Sequence, residues 1–462
     1  MNNLRRTVKT PGAVMTGLGS ILGTGLFVSL AIATKIGGDG VLIAIILAAL
    51  VAILNGLSSA QLAANFPVSG GTYEYGYRVL NSWFGFTAGW MFLIAKSASA
   101  ATAALGCAGY LIYLFGTMTG TTVVSGEASG MGVISGTMIS LFRGAGQGHV
   151  LLALLLLAGT TALVAGGIRR SNRANIVIVG ITLAGLLVLV TGGIMANGIP
   201  YRPAVAAWSG FEFHGISPVL YATALMFVAY TGYGRIATLG EEVIKPEHTI
   251  PRAIVISMAV IVIIYFSVSL TALEVLGSEA FGRTVDSEAA PLIMVARALT
   301  LAGPFKIFMV SVVSIAAVTA MTGVLLNLIL GLSRVILGMA RRGDLPGFME
   351  QVKAESGSPV AAVWVTGGVI GLLVMSGDIT FTWSFSAFTV LIYYAITNLS
   401  ALMLPAGKRL YPRWIPALGL LCCLSLAFWI DPQIWLTGLS LIAAGLLWHA
   451  AAGRRAGGSI NG

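Results

Sequence analysis

Charged residues are scarce in this chain: Asp, Glu, Lys and Arg together make up 9% of its 462 residues. A soluble domain has about 25% charged residues, so this composition excludes an ordinary soluble fold. Hydrophobic residues make up 57% of the sequence, and the mean hydropathy is +0.93. Both values are typical of an integral membrane protein, and we expect an all-α one.

Cysteine is rare too, and Cys107, Cys422 and Cys423 all lie inside apolar runs, which excludes a disulfide framework. No CxxC or His/Cys pattern indicates a metal, so we expect no metal site and no cofactor. The sequence also has no HExxH pair, GxSxG elbow, paired membrane aspartates or nucleotide-binding motif. We therefore expect no enzymatic activity and no direct use of ATP.

Basic residues outnumber acidic ones, 26 to 16, for a formal net charge of +10. In a soluble protein such an excess would suggest a nucleic-acid partner. In a membrane protein, Lys and Arg collect in cytoplasmic loops, so we expect contact with membrane lipid and no nucleic acid. The basic N-terminus "MNNLRRTVKT" is followed by an apolar run that is too long for a signal peptide and has no cleavage site, which indicates a retained span.

About twelve apolar runs are long enough to cross a bilayer as helices. Their approximate limits are 12–36, 40–64, 82–115, 149–168, 174–196, 215–240, 251–274, 304–338, 359–377, 380–403, 413–430 and 433–452. Basic clusters between these spans all fall on the side of the N-terminus, including Arg5 and Arg6, Arg169 and Arg170, Arg341 and Arg342, and Lys408 and Arg409. This bias predicts a multi-pass protein of the cytoplasmic membrane with both termini in the cytoplasm.

Two spans carry glycines at their centres: the first reads "GSILGTGLF" from Gly19, and the sixth reads "LMFVAYTGYGRIATLGEE" from Leu225. Each contains a Thr-Gly pair, Thr24-Gly25 and Thr231-Gly232. Glycine-interrupted spans at matching positions of two halves indicate a transporter binding site. Because each half would then contain five spans, an odd number, the second half is expected to be inverted relative to the first.

An interrupted helix exposes backbone groups that suit a zwitterion. The half-helix after a break presents N–H groups and a positive dipole end to a carboxylate, and the carbonyls before the break suit an ammonium. An amino acid is therefore the expected substrate. The alternative is that the glycines only permit close helix packing, and for Gly19, four residues before Gly23, packing is the favoured interpretation.

Four stretches resemble signatures of the amino acid–polyamine–organocation (APC) transporter superfamily. They are "GSILGTGLF", "FPVSGGTYEYGYRVLN", "EEVIKPEHTIPRAI" and "NLILGLSRVILGMARRGDLP", in the order and spacing of that family. The resemblance implies a core of ten helices in two inverted five-helix repeats, with discontinuous first and sixth helices. We expect this core at 1–403, its repeats at about 12–196 and 215–403, and two peripheral helices and a tail at 404–462.

The resemblance also implies a substrate site. The N–H groups of Thr24 and Gly25 would meet the carboxylate, beside Gly23 and Gly232. Carbonyls would surround the ammonium, from Ile21, Leu22, Thr24, Val228, Ala229 and Thr231. Many relatives have an aromatic gate where this chain has Val228, which implies either a roomier pocket or closure by Phe227 or Tyr230 instead. Some relatives carry a lysine in helix five, where this chain has Gly180.

Lys96 lies roughly thirteen residues into the third span, which places it about 20 Å deep. A charged lysine at that depth is costly unless it is paired or neutral. We hypothesise that Lys96 supplies the positive group missing from helix five and that its proton couples transport. The alternative is a structural lysine that binds helix-end carbonyls.

Arg235 follows the interruption of the sixth span, and we expect it to pair with Glu241 or Glu242 in a gate; inside the pocket it would favour an acidic substrate. Intramembrane cations without a partner acid argue against lysine or arginine as substrates. The sequence thus predicts a secondary transporter of neutral amino acids that works by alternating access. A non-transporting amino-acid sensor is the alternative. H⁺ coupling, Na⁺ coupling, exchange and the oligomeric state remain open.

Overall fold

A computed structural model describes residues 8–66, 71–118, 147–167, 172–197, 215–237, 243–287, 290–301, 303–353 and 358–458. In this part of the chain, nine helices are long and apolar enough to cross a membrane. The other three of the twelve expected spans are the interrupted first one and two shorter apolar helices, Val360–Val374 and Trp414–Ala427. The expected all-helical membrane fold is confirmed.

The first half of the chain contains spans 1 to 5. Span 1 has three helical pieces, Thr10–Ile21, Thr24–Phe27 and Ser29–Gly37. A 3₁₀ turn at Gly38–Gly40 leads into span 2, Val41–Asn65. The short helix Thr72–Tyr75 and a π-helical turn, Gly76–Leu80, precede span 3, Ser82–Met118. Spans 4 and 5 are Gln147–Ala165 and Asn172–Asn197.

The second half begins with span 6, which is α-helical over Ile216–Tyr230, 3₁₀-helical over Thr231–Tyr233 and α-helical again over Gly234–Ala237. Span 7 is Pro246–Ser287, bent where Gly277 adopts a φ of 77°. A buried helix, Pro291–Ala298, precedes span 8, Gly303–Arg341. Spans 9 to 12 are Val360–Val374, Ile379–Leu402, Trp414–Ala427 and Pro432–Gly458.

The interruption of span 1 is a genuine gap in the helix. Leu22 has φ −71° and ψ 104°, and Gly23 has φ 176° and ψ −129°, so both residues leave the helical region. The helix restarts at Thr24, where the amides of Leu26 and Phe27 donate to the carbonyl of Gly23. The interruption therefore creates a helix C-terminus and a helix N-terminus within the membrane.

The interruption of span 6 is a change of helix type. Thr231 keeps right-handed dihedrals, φ −64° and ψ −4°, and its hydroxyl donates to the carbonyl of Val228 at 2.7 Å. The tighter 3₁₀ turn shifts hydrogen bonds from the i−4 to the i−3 carbonyl and so breaks the regular α-helical ladder. Spans 1 and 6 are thus both discontinuous, as expected, although only span 1 contains extended residues.

The two interruptions pack directly against each other. A Cβ atom built on Gly25 would lie 2.6 Å from the Cβ of Ala229, and one built on Gly232 would lie 2.4 Å from the carbonyl oxygen of Ser20. Only glycine permits such close backbone approach. The glycines of the two halves therefore bring both sets of half-helix ends to one place.

Spans 11 and 12 lie against the outside of this bundle. Gly438 of span 12 packs on the ring of Phe388, and Gly445 packs on Trp90, whose indole N–H donates to the carbonyl of Leu441 at 2.9 Å. Their expected separation from a core at 1–403 stays a prediction, because packing alone does not define a domain boundary.

Candidate functional site

A cavity of about 580 Å³ begins at the paired interruptions and extends toward the N-terminal side of the membrane. Its inner end is lined by residues of both interrupted spans: Ser20, Ile21, Thr24, Gly25, Val228, Ala229, Thr231 and Gly232. Its other end, on the N-terminal side of the membrane, is called the outer end here. It reaches Tyr73, in the connection between spans 2 and 3, and Arg341, the last residue of span 8. The cavity is large enough for a small-molecule ligand.

One face of span 8 forms a long wall of the cavity. Most of its lining residues recur every three or four positions: Val324, Asn327, Leu328, Gly331, Arg334, Val335, Gly338 and Arg341, with Leu332 and Leu337 beside them. This spacing keeps them on one side of an α-helix. From Val324 to Arg341 the wall is about 25 Å long at 1.5 Å per residue. The cavity therefore connects the interruptions with the end of the bundle.

On the opposite side of the interruptions, side-chain hydrogen bonds join the spans. Trp383 of span 10, which lines the cavity, donates to the carbonyl of Leu225 in span 6 at 3.1 Å. The hydroxyls of Ser99 and Ser386 lie 2.7 Å apart. Tyr110 of span 3 donates to the carbonyl of Phe27 in span 1 at 2.8 Å. These contacts close the cavity at this end.

Polar groups without partners face the inner end of the cavity. Among the described residues, the Thr24 hydroxyl is buried and has no hydrogen-bond partner. Thr24 and Gly25 are the first residues of a half-helix, so their N–H groups have no intrahelical acceptor. Buried polar groups are normally satisfied, so these groups are candidates to bind a ligand carboxylate.

Carbonyl groups face each other at the same place. The hydroxyl of Tyr265, on span 7, lies 3.5 Å from the carbonyl oxygen of Ile21 and 3.4 Å from that of Ala229. One hydroxyl proton can satisfy only one of these two acceptors at a time. The remaining acceptor capacity suits a cation such as an ammonium group.

Lys96 of span 3 reaches this inner end. Its Nζ donates to the hydroxyl of Thr231 at 2.9 Å, and its half-buried side chain lines the cavity. No Asp or Glu is present among the described residues that line the cavity. Lys96 forms none of the ion pairs found in the described part of the chain. The lysine is thus held by a neutral hydroxyl and faces open space.

Several residues expected at the site pack beside the cavity instead of lining it. They are Leu22, Gly23, Phe227 and Tyr230. A Cβ on Gly23 would lie 2.5 Å from Val324, and Phe227 packs edge-on against Tyr394. The Tyr230 hydroxyl donates to the carbonyl of Ile45 at 3.2 Å.

The residues expected to form a gate are only partly described. Arg235 is exposed and lines the cavity beyond Gly232 and Gly234. Glu241 and Glu242 lie outside the described residues. The pairing of Arg235 with either of them stays a prediction.

Sequence reasoning missed a group of lining residues from spans 3, 8 and 10: Phe92, Ser99, Trp383, Tyr393, Tyr394 and the span 8 face. The aromatic residues carry no sequence signal, because aromatics are also common in buried apolar helices. Span 8 does carry one, since Asn327 and Arg334 are polar residues seven positions apart in an apolar helix. Polar residues within a span mark a face directed at the protein interior or a cavity.

A polar cluster lies beside the outer end of the cavity, around the buried carboxylate of Asp344. The hydroxyls of Tyr73 and Tyr77 both donate to it at 2.7 Å. Arg342 lies over the Tyr77 ring at 4.2 Å and pairs with Glu74 at 3.0 Å. Burial and the bond to Asp344 raise the pKa of the Tyr73 phenol above its ordinary value, which keeps it protonated as a donor. The cluster fixes the connection between spans 2 and 3 to the end of span 8.

Comparison with known proteins agrees with this architecture. The crystal structure of MhsT in complex with L-phenylalanine is similar over 97% of this chain and 100% of the MhsT chain, with a TM-score of 0.64 and 17% identity. At that identity, the likeness concerns the fold alone, which is that of LeuT-type transporters.

Sequence relatives align with most of this chain. An uncharacterized transporter of Mycobacterium tuberculosis is 35% identical over 448 residues, covering 96% of this chain and 91% of the relative. A branched-chain amino acid permease of Bacillus subtilis is 27% identical over 375 residues, covering 80% and 75%. The model of the amino acid permease family matches residues 12–459. The chain is therefore a multi-pass membrane protein that belongs to the amino acid permease family.

Proposed function

We propose that this protein is a secondary active transporter that moves amino acids across the cytoplasmic membrane by alternating access, with both termini in the cytoplasm. The observation that carries this proposal is the contact between the two interruptions at the closed end of a cavity. Family membership, a relative named as an amino acid permease and the phenylalanine complex of a fold neighbour support the class of substrate.

The main chain of the substrate would bind to backbone groups. Its carboxylate would accept from the N–H groups of Thr24 and Gly25 and from the unpartnered Thr24 hydroxyl. Its ammonium would donate to the carbonyls around the interruptions: those of Ile21, Leu22, Thr24, Val228, Ala229 and Thr231. Phe227 and Tyr230 would keep the role of closing the site, by a movement of span 6.

The cavity opens on the side that carries Arg341, and the positive-inside bias makes this side cytoplasmic. Alternating access then requires that the bonds between spans 3, 6 and 10 break while the outer end of the cavity closes. Arg235, which lines that outer part, would contribute to closure by pairing with Glu241 or Glu242.

Lys96 is our candidate for the coupling group. It lies at the interruption of span 6, where a proton gained or lost changes the charge of the binding site. Na⁺ coupling and exchange are the alternatives to H⁺ coupling, and uptake under separate H⁺ and Na⁺ gradients distinguishes the three.

The transport proposal is tested with the purified full chain in proteoliposomes. We expect concentrative uptake of at least one labelled amino acid when a pH gradient is applied. Saturable binding without uptake under any ion gradient would contradict transport and favour the sensor alternative.

The coupling proposal is tested with Lys96→Ala. We expect residual exchange of internal for external substrate, but loss of the pH dependence of net uptake. Unchanged, fully pH-dependent uptake by this variant would remove Lys96 from the coupling mechanism.

A further inference from the structure

In the described part of the chain, the charged residues that line the cavity are all basic. Lys96 lies at its inner end, and Arg235, Arg334 and Arg341 line its outer part. The described residues that line the cavity include no Asp or Glu. A cavity lined by one sign of charge, with low-dielectric walls, concentrates ligands of the opposite sign.

The arginines also have a simpler explanation, because basic residues gather on the cytoplasmic side of membrane proteins. Arg341 ends span 8 and fits that explanation well. Lys96 does not, because it lies at the level of the interruptions and donates to Thr231 there. The inner cation therefore carries the argument, and the arginines add to the field along the path.

Charge balance at Lys96 limits what can be carried. A zwitterionic amino acid has no net charge, so with a protonated Lys96 the occluded site would hold one uncompensated positive charge. An isolated charge within the membrane is costly. A substrate with a second carboxylate has a net charge of −1 and would cancel the lysine.

Given the transport function proposed above, we propose that the substrate is an amino acid with an acidic side chain, whose second carboxylate pairs with the Lys96 ammonium. The loaded site then has no net charge, because the charge of −1 on the substrate cancels the charge of +1 on protonated Lys96. After the substrate leaves, the amine releases its proton to the same side, and the empty site returns with a neutral amine. Each cycle moves one substrate anion and one proton, and neither crossing carries net charge.

The other titratable groups that line the cavity with Lys96 come from spans 6, 8 and 10 and the connection after span 2. They are Arg235, Arg334, Arg341, Tyr393, Tyr394 and Tyr73. The lining residues of span 1, Ser20, Ile21, Thr24 and Gly25, do not titrate. The arginines stay protonated and the tyrosines stay neutral near neutral pH, so neither changes its charge during the cycle. Lys96 differs because it lies at the interruptions, where an ammonium without a counter-charge is costly, so in our proposal it is the group whose proton moves.

The test uses purified full-length protein in proteoliposomes, with labelled L-glutamate, L-aspartate and L-leucine. A pH gradient and a membrane potential, the latter set by K⁺ and valinomycin, are applied separately. We expect the pH gradient to accelerate glutamate or aspartate uptake at least tenfold. We expect the potential of either sign to change it less than twofold, because no net charge crosses.

Variants at Lys96 test the pairing. Lys96→Met keeps most of the length of the side chain without its charge. We expect this variant to reduce the uptake of acidic substrates at least tenfold more than the uptake of neutral ones. The matched control is Lys306→Met, at the opposite end of span 8 and outside the cavity lining. Its uptake should match that of the unchanged protein.

Three outcomes would overturn the inference. Uptake of L-leucine without L-glutamate or L-aspartate would contradict the acidic substrate and leave the transport function intact. Glutamate uptake that follows the membrane potential would contradict the charge balance. Absence of uptake for every amino acid would refute the transport function itself, and the inference with it.

Discussion

The ammonium of Lys96 lies 2.9 Å from the hydroxyl oxygen of Thr231, so the cation of span 3 touches the interruption of span 6. The same hydroxyl donates to the carbonyl of Val228 at 2.7 Å. Thr231 therefore links the position of the lysine to the helix end that is expected to bind substrate.

Replacing Thr231 with valine, which has nearly the same shape, should weaken apparent substrate affinity at least about tenfold, because a hydrogen bond to a charged group contributes about 1.5–3 kcal/mol. Thr231→Ser should stay close to the unchanged protein. Thr319→Val is the control, since that hydroxyl bonds to its own helix on the exposed face of span 8. Concentration dependence of uptake is the measurement, and equal values for the valine and serine variants would contradict a role for the hydroxyl.

The close contact between the interruptions predicts intolerance at Gly232. A methyl group there would lie 2.4 Å from the carbonyl oxygen of Ser20, and backbone cannot move aside as a side chain can. Gly232→Ala should separate the two spans, at a cost of about 1–3 kcal/mol, and lower uptake at least tenfold. Gly180→Ala is the matched control, because a Cβ there meets nothing within 4 Å. Normal uptake by Gly232→Ala would show that the contact is not needed.

Asp344 should stabilise the connection between spans 2 and 3, because two tyrosine hydroxyls donate to its buried carboxylate. We expect Asp344→Asn to lower the free energy of unfolding by about 1.5–3 kcal/mol, the range for hydrogen bonds to charged groups. Thermal melting in detergent measures this effect. Glu279→Gln, which removes an exposed ion pair with Arg283, should leave the melting temperature nearly unchanged. Equal melting of the two variants would contradict the role of Asp344.

Stability should also fall at alkaline pH. The pKa of Tyr73 is raised in the folded protein, so the unfolded chain ionises this phenol first, near pH 10. The folded state then binds more protons than the unfolded state, and its stability is complete below about pH 10 and decreases above it. Tyr73→Phe should melt with a shallower decline between pH 9 and 11. A decline as steep as that of the unchanged protein would assign the effect to other groups.

The proposed orientation predicts opposite labelling of two exposed positions. Glu279 follows the bend of span 7 on the side away from the N-terminus, and Arg413 precedes span 11 on the N-terminal side. In intact cells, a membrane-impermeant maleimide should label Glu279→Cys, and it should label Arg413→Cys only after permeabilisation. Cys107 and Cys423 are buried and Cys422 is half-buried, so their background should be low. The reverse pattern would place the termini outside the cell.

The sequence predicted the membrane class, the spans and the positions of both interruptions. Apolar runs of sufficient length can be recognised in the sequence whatever the packing of the helices. A Gly-Thr-Gly cluster within such a run is unusual, and it too can be recognised without knowing what it contacts. The family signatures added the expected inverted repeats, and the fold comparison confirmed that architecture. The site residues themselves remain predictions, and the structure describes all of them except Glu241 and Glu242.

The composition of the cavity wall required the tertiary structure. Tyr393 and Trp383 are ordinary residues of an apolar span until folding turns them toward spans 1 and 6. Arg235 was expected at a gate, and the folded chain shows that it also lines the cavity; the neutral substrate stays a prediction. Asp344 follows span 8 in the sequence, and only the fold buries it beside two tyrosines.

The sequence by itself determined that the chain must fold as membrane helices, since its apolar runs have no other stable environment and its backbone must satisfy its own hydrogen bonds in lipid. Only the tertiary structure decided which groups face the cavity, because that depends on the rotation and contact of helices far apart in the chain. Lys96 and Thr231 are 135 residues apart in sequence, and packing alone brings them together.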